Sequence, residues 1–195
     1  MPFAVSRRLF VLGCAFAAAA CATPPIREMP EIRFTSRAPI VLDVARVEVA
    51  QSYQPPLADP NVEHLFPQVP SDVIRRWTRD RLQPAGTGGY ARVYIEDASV
   101  TAEQLARTPG IRGAITVDQA QQLRARFQVR IEADNGRGTR GYTLATAQRT
   151  TTVPEDATLA EREQIWYRLT EATMSDLDAE LESNIRSQMG TLVLR

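Results

Sequence analysis

Residues 122–134 read QLRARFQVRIEAD, and Asn135-Gly136 follows. Leu123, Ala125, Phe127, Val129, Ile131 and Ala133 are apolar, while Gln122, Arg124, Arg126, Gln128, Arg130, Glu132 and Asp134 are polar. A period of two over thirteen positions predicts a strand with one buried face and one wet face. Asn-Gly is a strong hairpin signal, with Arg137 and Gly138 leaving room for a longer loop. The return strand runs from Thr139 to about Val153, with Tyr142 and Leu144 apolar. An antiparallel meander is the expected result.

Upstream, IVLDVARVEVA at 40–50 reads as one strand, and Ala91, Val93 and Ile95 alternate with Arg92, Tyr94 and Glu96 in another. Between them Pro70-Ser71-Asp72 opens a helix, with Ser71 as its cap. Val73, Ile74, Trp77 and Leu82 give this helix an apolar side, and Arg75, Arg76, Arg79 and Arg81 face water or partners. Pro84 and Gly86-Thr87-Gly88-Gly89 end it. Residues 101–105 suit a single helical turn, and Thr108-Pro109-Gly110 with Gly113 mark loop. The segment 51–70 holds five prolines but also Tyr53, Leu57, Leu65 and Phe66. It is either a loop packed over the core or a partner-binding flap.

Downstream, Thr158-Leu159-Ala160-Glu161 fits a capping box, and no Gly or Pro interrupts the chain until Gly190. Ile165, Leu169, Thr173, Leu177, Leu181, Ile185 and Met189 recur every four residues. Such a stripe drifts about 40° per step, as it does on a helix lying obliquely across a twisted sheet. Thr191 to Leu194 suit a short final strand. The fold class is α+β: an antiparallel meander with one short and one long C-terminal helix packed on one face.

The chain starts differently. Arg7 and Arg8 precede an apolar run of twelve residues, Leu9 to Ala20, that ends in small residues at Cys21. These are the parts of a secretory signal, and the run is too short for a span, which needs about 20 residues. Ser6-Arg7-Arg8-Leu9-Phe10 resembles a twin-arginine export signal, with general secretion as the alternative route. Ala18-Ala19-Ala20-Cys21 resembles a lipobox, the site where bacterial lipoproteins are acylated on Cys and cleaved before it. Ala18 stands where Leu is usual. Cys14 competes, but would leave an apolar region of only about five residues. Cys21 is therefore the lipidation site of choice. An acylated Cys21, carrying diacylglyceryl and a further acyl group such as palmitate, would tether the chain stably to a membrane. Ala22 is not Asp, which by the common sorting rule points to the outer membrane, facing the periplasm. Residues 21–39, with their prolines, read as a lipidated N-terminus and flexible spacer, and 40–195 as one domain.

Composition supports an exported, thiol-free domain. Both cysteines lie within the first 21 residues, so no disulfide or metal thiolate remains in the rest. Without residues 1–20 the chain carries 21 basic and 23 acidic side chains, a formal charge of −2. That argues against a general nucleic-acid affinity, which needs a concentrated basic surface. Every basic residue is Arg, a planar fork suited to carboxylate or phosphate.

Few residues invite chemistry. His64 is the only histidine, and a metal site would need further ligands at suitable spacing; no metal and no cofactor are expected. Gly86 to Gly89 lack the Gly-Lys-Ser/Thr ending of a phosphate loop, and no G-x-S-x-G elbow occurs. Asp176, Asp178, Glu180 and Glu182 crowd the late helix but look solvated, so a catalytic dyad is not expected. The wet arginines Arg124, Arg126 and Arg130 are the best surface candidates for an acidic partner or phosphate. Their plainer reading is a soluble outer face.

The layout resembles the auxiliary lipoproteins of bacterial ABC-type envelope transport. The resemblance rests on the Cys21 signal, the strand 40–50, the helix carrying Arg75-Arg76-Trp77, the meander 122–153 and the closing helix 158–189. It covers most of the chain in layout, without a diagnostic motif, and an uncharacterised envelope lipoprotein family is the alternative. It implies a non-enzymatic accessory subunit of an envelope transport complex and carries over no functional residue beyond Cys21. The long loop (Tyr53, Leu65, Phe66) and the arginine face are the candidate docking surfaces read from the residues themselves. The rivals are a carboxylate-based periplasmic hydrolase and a structural outer-membrane lipoprotein.

Overall fold

A computed structural model describes residues 29–105 and 119–194. Its elements are β1 (Ile40–Leu42), β2 (Val47–Gln51), α1 (Pro70–Arg81), β3 (Leu82–Pro84), β4 (Tyr90–Gln104), β5 (Gln119–Asp134), β6 (Arg140–Pro154) and α2 (Leu159–Gln188). The main sheet has strand order β2-β4-β5-β6, and β1 pairs with β3 in a small second sheet. The chain is α+β, and β4, β5 and β6 form the expected antiparallel meander.

The alternation in β5 sorts its residues as the pattern requires. Leu123, Ala125, Phe127, Val129, Ile131 and Ala133 are buried. Asn135 closes the hairpin: its Oδ1 accepts from the amides of Arg137 at 2.9 Å and Thr139 at 3.1 Å. Gly136 and Gly138 adopt positive φ there, so Arg137 and Gly138 do lengthen the loop.

β4 runs well past the expected end at Glu96. A bulge between Ile95 and Asp97 takes up one residue, so alternation resumes one position later with Ala98 and Val100 buried. Residues 101–104 are therefore strand, which corrects the single helical turn. The predicted loop at 108–113 lies outside the described residues.

The expected strand 40–50 is two strands. It breaks at Asp43, whose carboxylate accepts from Arg137 at 2.5 Å and Asn135 at 3.1 Å, while its amide donates to Leu192. A Cβ on Gly86 would lie 2.5 Å from the Asp43–Val44 backbone, so the bend packs on a residue without a side chain. β1 and β2 each run parallel to their partners, β3 and β4. α1 begins with Pro70 after Val69, and Ser71 is buried instead of capping. Leu82, assigned to this helix by its apolar spacing, opens β3.

α2 carries the predicted capping box, with Thr158 and Glu161 bonded reciprocally. Leu169, Thr173, Leu177, Leu181, Ile185 and Met189 are all buried. Ala145, Ala147 and Gly141 let its second half approach β6 closely, since a Cβ on Gly141 would meet Met189 at 2.9 Å. The final strand is reduced to a 3-10 turn at Gly190–Leu192 and one bridge, Val193 to Leu42. None of the described helices is long and apolar enough to cross a membrane.

Candidate functional site

The N-terminal arm is fastened to the domain well before Ile40. Ile32 and Phe34 join the core. Arg33 grips Asp80 with two bonds, 2.9 Å and 2.8 Å, and the Phe34 amide donates to the same carboxylate at 3.0 Å. Arg33, and then the Phe34 amide, hold Asp80 below the ordinary carboxylate range. Ile32 and Phe34, within the stretch expected as spacer, are therefore packed on the domain, because an Ile-x-Phe alternation reaches the core.

Beneath this strap lies a buried ion network. Arg81 is fully buried on α1 and donates to Asp178 Oδ1 at 2.8 Å, to Glu182 Oε2 at 2.5 Å and to the Ala38 carbonyl. Trp77 Nε1 donates to the same Asp178 oxygen at 2.8 Å, and Arg37 sits 3.1 Å from the other. Arg81 therefore does not face water and Asp178 is not solvated, which corrects both expectations. Burial makes each charge dependent on the others. A groove of about 400 Å³ between strap and α2 is lined by Arg33, Arg37, Tyr167, Glu171 and Asp178.

The other late-helix carboxylates have separate partners. Asp176 accepts from Arg149 at 2.5 Å and 2.9 Å, and Glu180 accepts from the Thr146 amide at 3.4 Å. Glu182 also accepts from Arg186, which holds it below its ordinary range. Among the described residues, no three of His, Cys, Asp and Glu converge as a metal-binding group.

The wet face of the sheet carries Arg124, Arg126 and Arg130 as expected, but in unequal states. Arg130 lies 3.8 Å over the Tyr94 ring, donates to Glu96 at 2.5 Å and pairs with Glu132. Arg126 pairs with Asp97 at 3.1 Å. Arg124 is exposed and has no ion-pair partner among the described residues. Arg46 and Arg92 flank Tyr90 at 5.6 Å and 4.9 Å, and both reach Glu48. Forks already satisfied by carboxylates and rings have less to offer an incoming anion, so Arg124 is the freest of the three.

The segment 52–66 closes the rest of the β4 edge. The Ser52 and Tyr53 amides donate to the Ile95 carbonyl, Val62 donates to Val100, and Ala102 donates to Pro60. Glu63 is 1% exposed and accepts from the Tyr53 hydroxyl at 2.5 Å, from Asn61 at 3.3 Å and from the Val100 amide at 3.1 Å. Burial, and then Glu63, push the Tyr53 phenol above its usual range. Phe66 stacks on Trp166 with centroids 5.0 Å apart and is buried, so it is core and not open to a partner. Leu57 and Leu65 stay exposed. His64 has a buried Nδ1 with no hydrogen-bond partner among the described residues. Sequence reasoning missed Glu63, Arg37 and the Arg81–Asp178 network, whose partners are far apart in the chain. Cys21, Arg7 and Arg8 lie outside the described residues.

No protein-family model and no curated protein sequence matches the chain. The structure is similar to a minor lipoprotein from Acinetobacter baumannii, with 14% identity and a TM-score of 0.38 over 80% of this chain and 99% of that one. It is also similar to the rare lipoprotein B from Shewanella oneidensis, at 12% identity and TM-score 0.37 over 71% and 92% of the two chains. A third is an uncharacterized lipoprotein B from Nitrosomonas europaea, at 12% identity and TM-score 0.41 over 77% and 92%.

Proposed function

We propose that this chain is a bacterial envelope lipoprotein, held by an acylated Cys21 and serving as a non-enzymatic accessory subunit of a cell-envelope transport or assembly complex. The observation that carries the reading is Ala18-Ala19-Ala20-Cys21 at the end of an apolar run behind Arg7-Arg8, with no thiol anywhere after it. Two or three acyl chains on one residue hold a domain at a membrane that it never crosses. From Cys21 to Ile32, where packing begins, the chain reaches at most about 40 Å at ~3.6 Å per residue. The domain would therefore work close to the leaflet, with the outer membrane as the proposed site because Ala22 is not Asp.

Cys21→Ser tests the anchor. The expected result is loss of the acyl mass and a shift from the detergent phase to the aqueous phase. An unchanged mass and partition would overturn the reading. The accessory role is tested by crosslinking the tethered chain in cells, which should recover subunits of one envelope complex. Changing Arg124, Arg126 and Arg130 to Gln should weaken that recovery with folding intact if the wet face is the docking surface; undiminished recovery would exclude that face.

A further inference from the structure

β6 forms one outer edge of the main sheet. The Asn135 amide donates to the Thr139 carbonyl, which sets the phase of the hairpin ladder: odd-numbered residues of β6 bond to β5, and even-numbered ones turn their N–H and C=O outward. α2 satisfies one of these groups at Leu144 and one at Thr146. Asn184 donates to the Leu144 carbonyl at 3.0 Å, and the Thr146 amide donates to Glu180 at 3.4 Å. Further along, Gln148, Thr150 and Thr152 have outward backbone groups with no partner among the described residues. Beside them runs a groove of about 300 Å³ floored by Ile165, Leu169 and Ala172 of α2. It continues past Ile165 and Arg168 into a second space of about 250 Å³ toward Pro154 and Ala157.

We propose that the outer edge of β6 at Gln148 to Thr152 accepts an extended segment of another protein as an added strand. This rests on the reading that the domain works by docking. Unpaired donors and acceptors at every second residue are complementary to a strand backbone. Side chains of that strand on the helix side would lie on Ile165, Leu169 and Ala172, so the partner is apolar at alternate positions. Arg168, exposed where the two spaces meet and without an ion-pair partner among the described residues, selects an acidic residue there. A second copy of β6 fits badly, since its own Arg149 would arrive beside Arg149 and Arg168.

The test uses the full chain purified in detergent and then in cells. Amide exchange in the isolated chain should be at least about tenfold faster at Gln148, Thr150 and Thr152 than at Arg149 and Thr151, whose amides bond to β5. Protection of the outward amides in the isolated chain would mean the edge is already covered, overturning the proposal. Photo-crosslinkers at 148, 150 and 152 should then attach to one partner segment, the contact moving about two residues per step. Thr150→Pro removes the central outward N–H, a position an edge strand tolerates, and should abolish the adducts with melting little changed. Should that variant fail to fold, Ala172→Arg fills the groove and should have the same effect. Scattered attachment points, adducts of this chain with itself, or adducts that survive both variants would each overturn strand addition. If crosslinkers at Leu65 or Arg124 recover a complex while those on β6 do not, strand addition fails and the accessory role stands. If no position recovers one, both fail.

Discussion

The two edges of the main sheet are finished by different means. On the β4 side, the chain itself folds over: segment 52–66 supplies backbone partners, buries Glu63 as an acceptor and locks itself to α2 through Phe66 on Trp166. On the β6 side, among the described residues, α2 reaches the outward backbone groups only through the side chains of Glu180 and Asn184, at Thr146 and Leu144. The first closure is part of the core and should unfold with it. The second is a surface feature whose removal the core barely feels. Edges that natural sheets leave open invite pairing, so the difference separates a structural margin from an interacting one.

Phe66→Ala should have the largest effect. It removes a buried ring and its stacking on Trp166, worth about 3–4 kcal/mol with the cavity left behind. Urea unfolding should show that loss as a lowered midpoint. A change below about 1 kcal/mol would mean the loop is not integral to the core. Glu63→Gln comes next, at about 1–2 kcal/mol, because the Tyr53 hydroxyl and the Val100 amide donate to different carboxylate oxygens and the carboxamide keeps only one of them as an acceptor. Amide exchange at Val100 should rise in that variant while β6 amides keep their rates. If β6 loosens equally, the edges are not independent.

These two residues also show where reading the sequence stops. The period in 122–134 and the four-residue stripe of α2 are legible because each repeats against one continuous buried surface. The capping box is legible because Thr158 and Glu161 are three residues apart. By contrast, Phe66 and Glu63 sit in a proline-rich stretch with no period, and their partners Trp166 and Val100 are chosen by the tertiary fold. Arg81 looked wet by composition alone, yet Asp178, 97 residues on, makes its burial possible. The bulge at Glu96 hid half of β4 by shifting the alternation one place. Of the docking candidates read from the sequence, Leu65, Arg124 and Arg126 are exposed, but no pattern in it marked that the Gln148–Thr152 end of β6 is left open.

The smallest predicted effect lies at that open end. Arg149 and Asp176 stand at the mouth of the β6 groove, both about half exposed, at 48% and 44%. Bonding to Arg149 holds the Asp176 carboxyl below the ordinary range, against a weaker opposing effect of burial. A depressed folded value means the pair contributes above the unfolded carboxylate value of about 3.9 and is lost as pH falls through the lower folded one. Between pH 5 and 7 the ion pair should therefore be intact and pH-independent. An exposed pair contributes little to global stability, so Arg149→Ala should leave melting at pH 7 almost unmoved. Its signature is local: followed by carboxyl carbon shifts, the Asp176 titration should move up toward that of an ordinary aspartate in the variant. An Asp176 that already titrates ordinarily in the wild type would mean the pair does not form in solution, leaving the mouth of the groove open for a partner's own carboxylate to take Arg149.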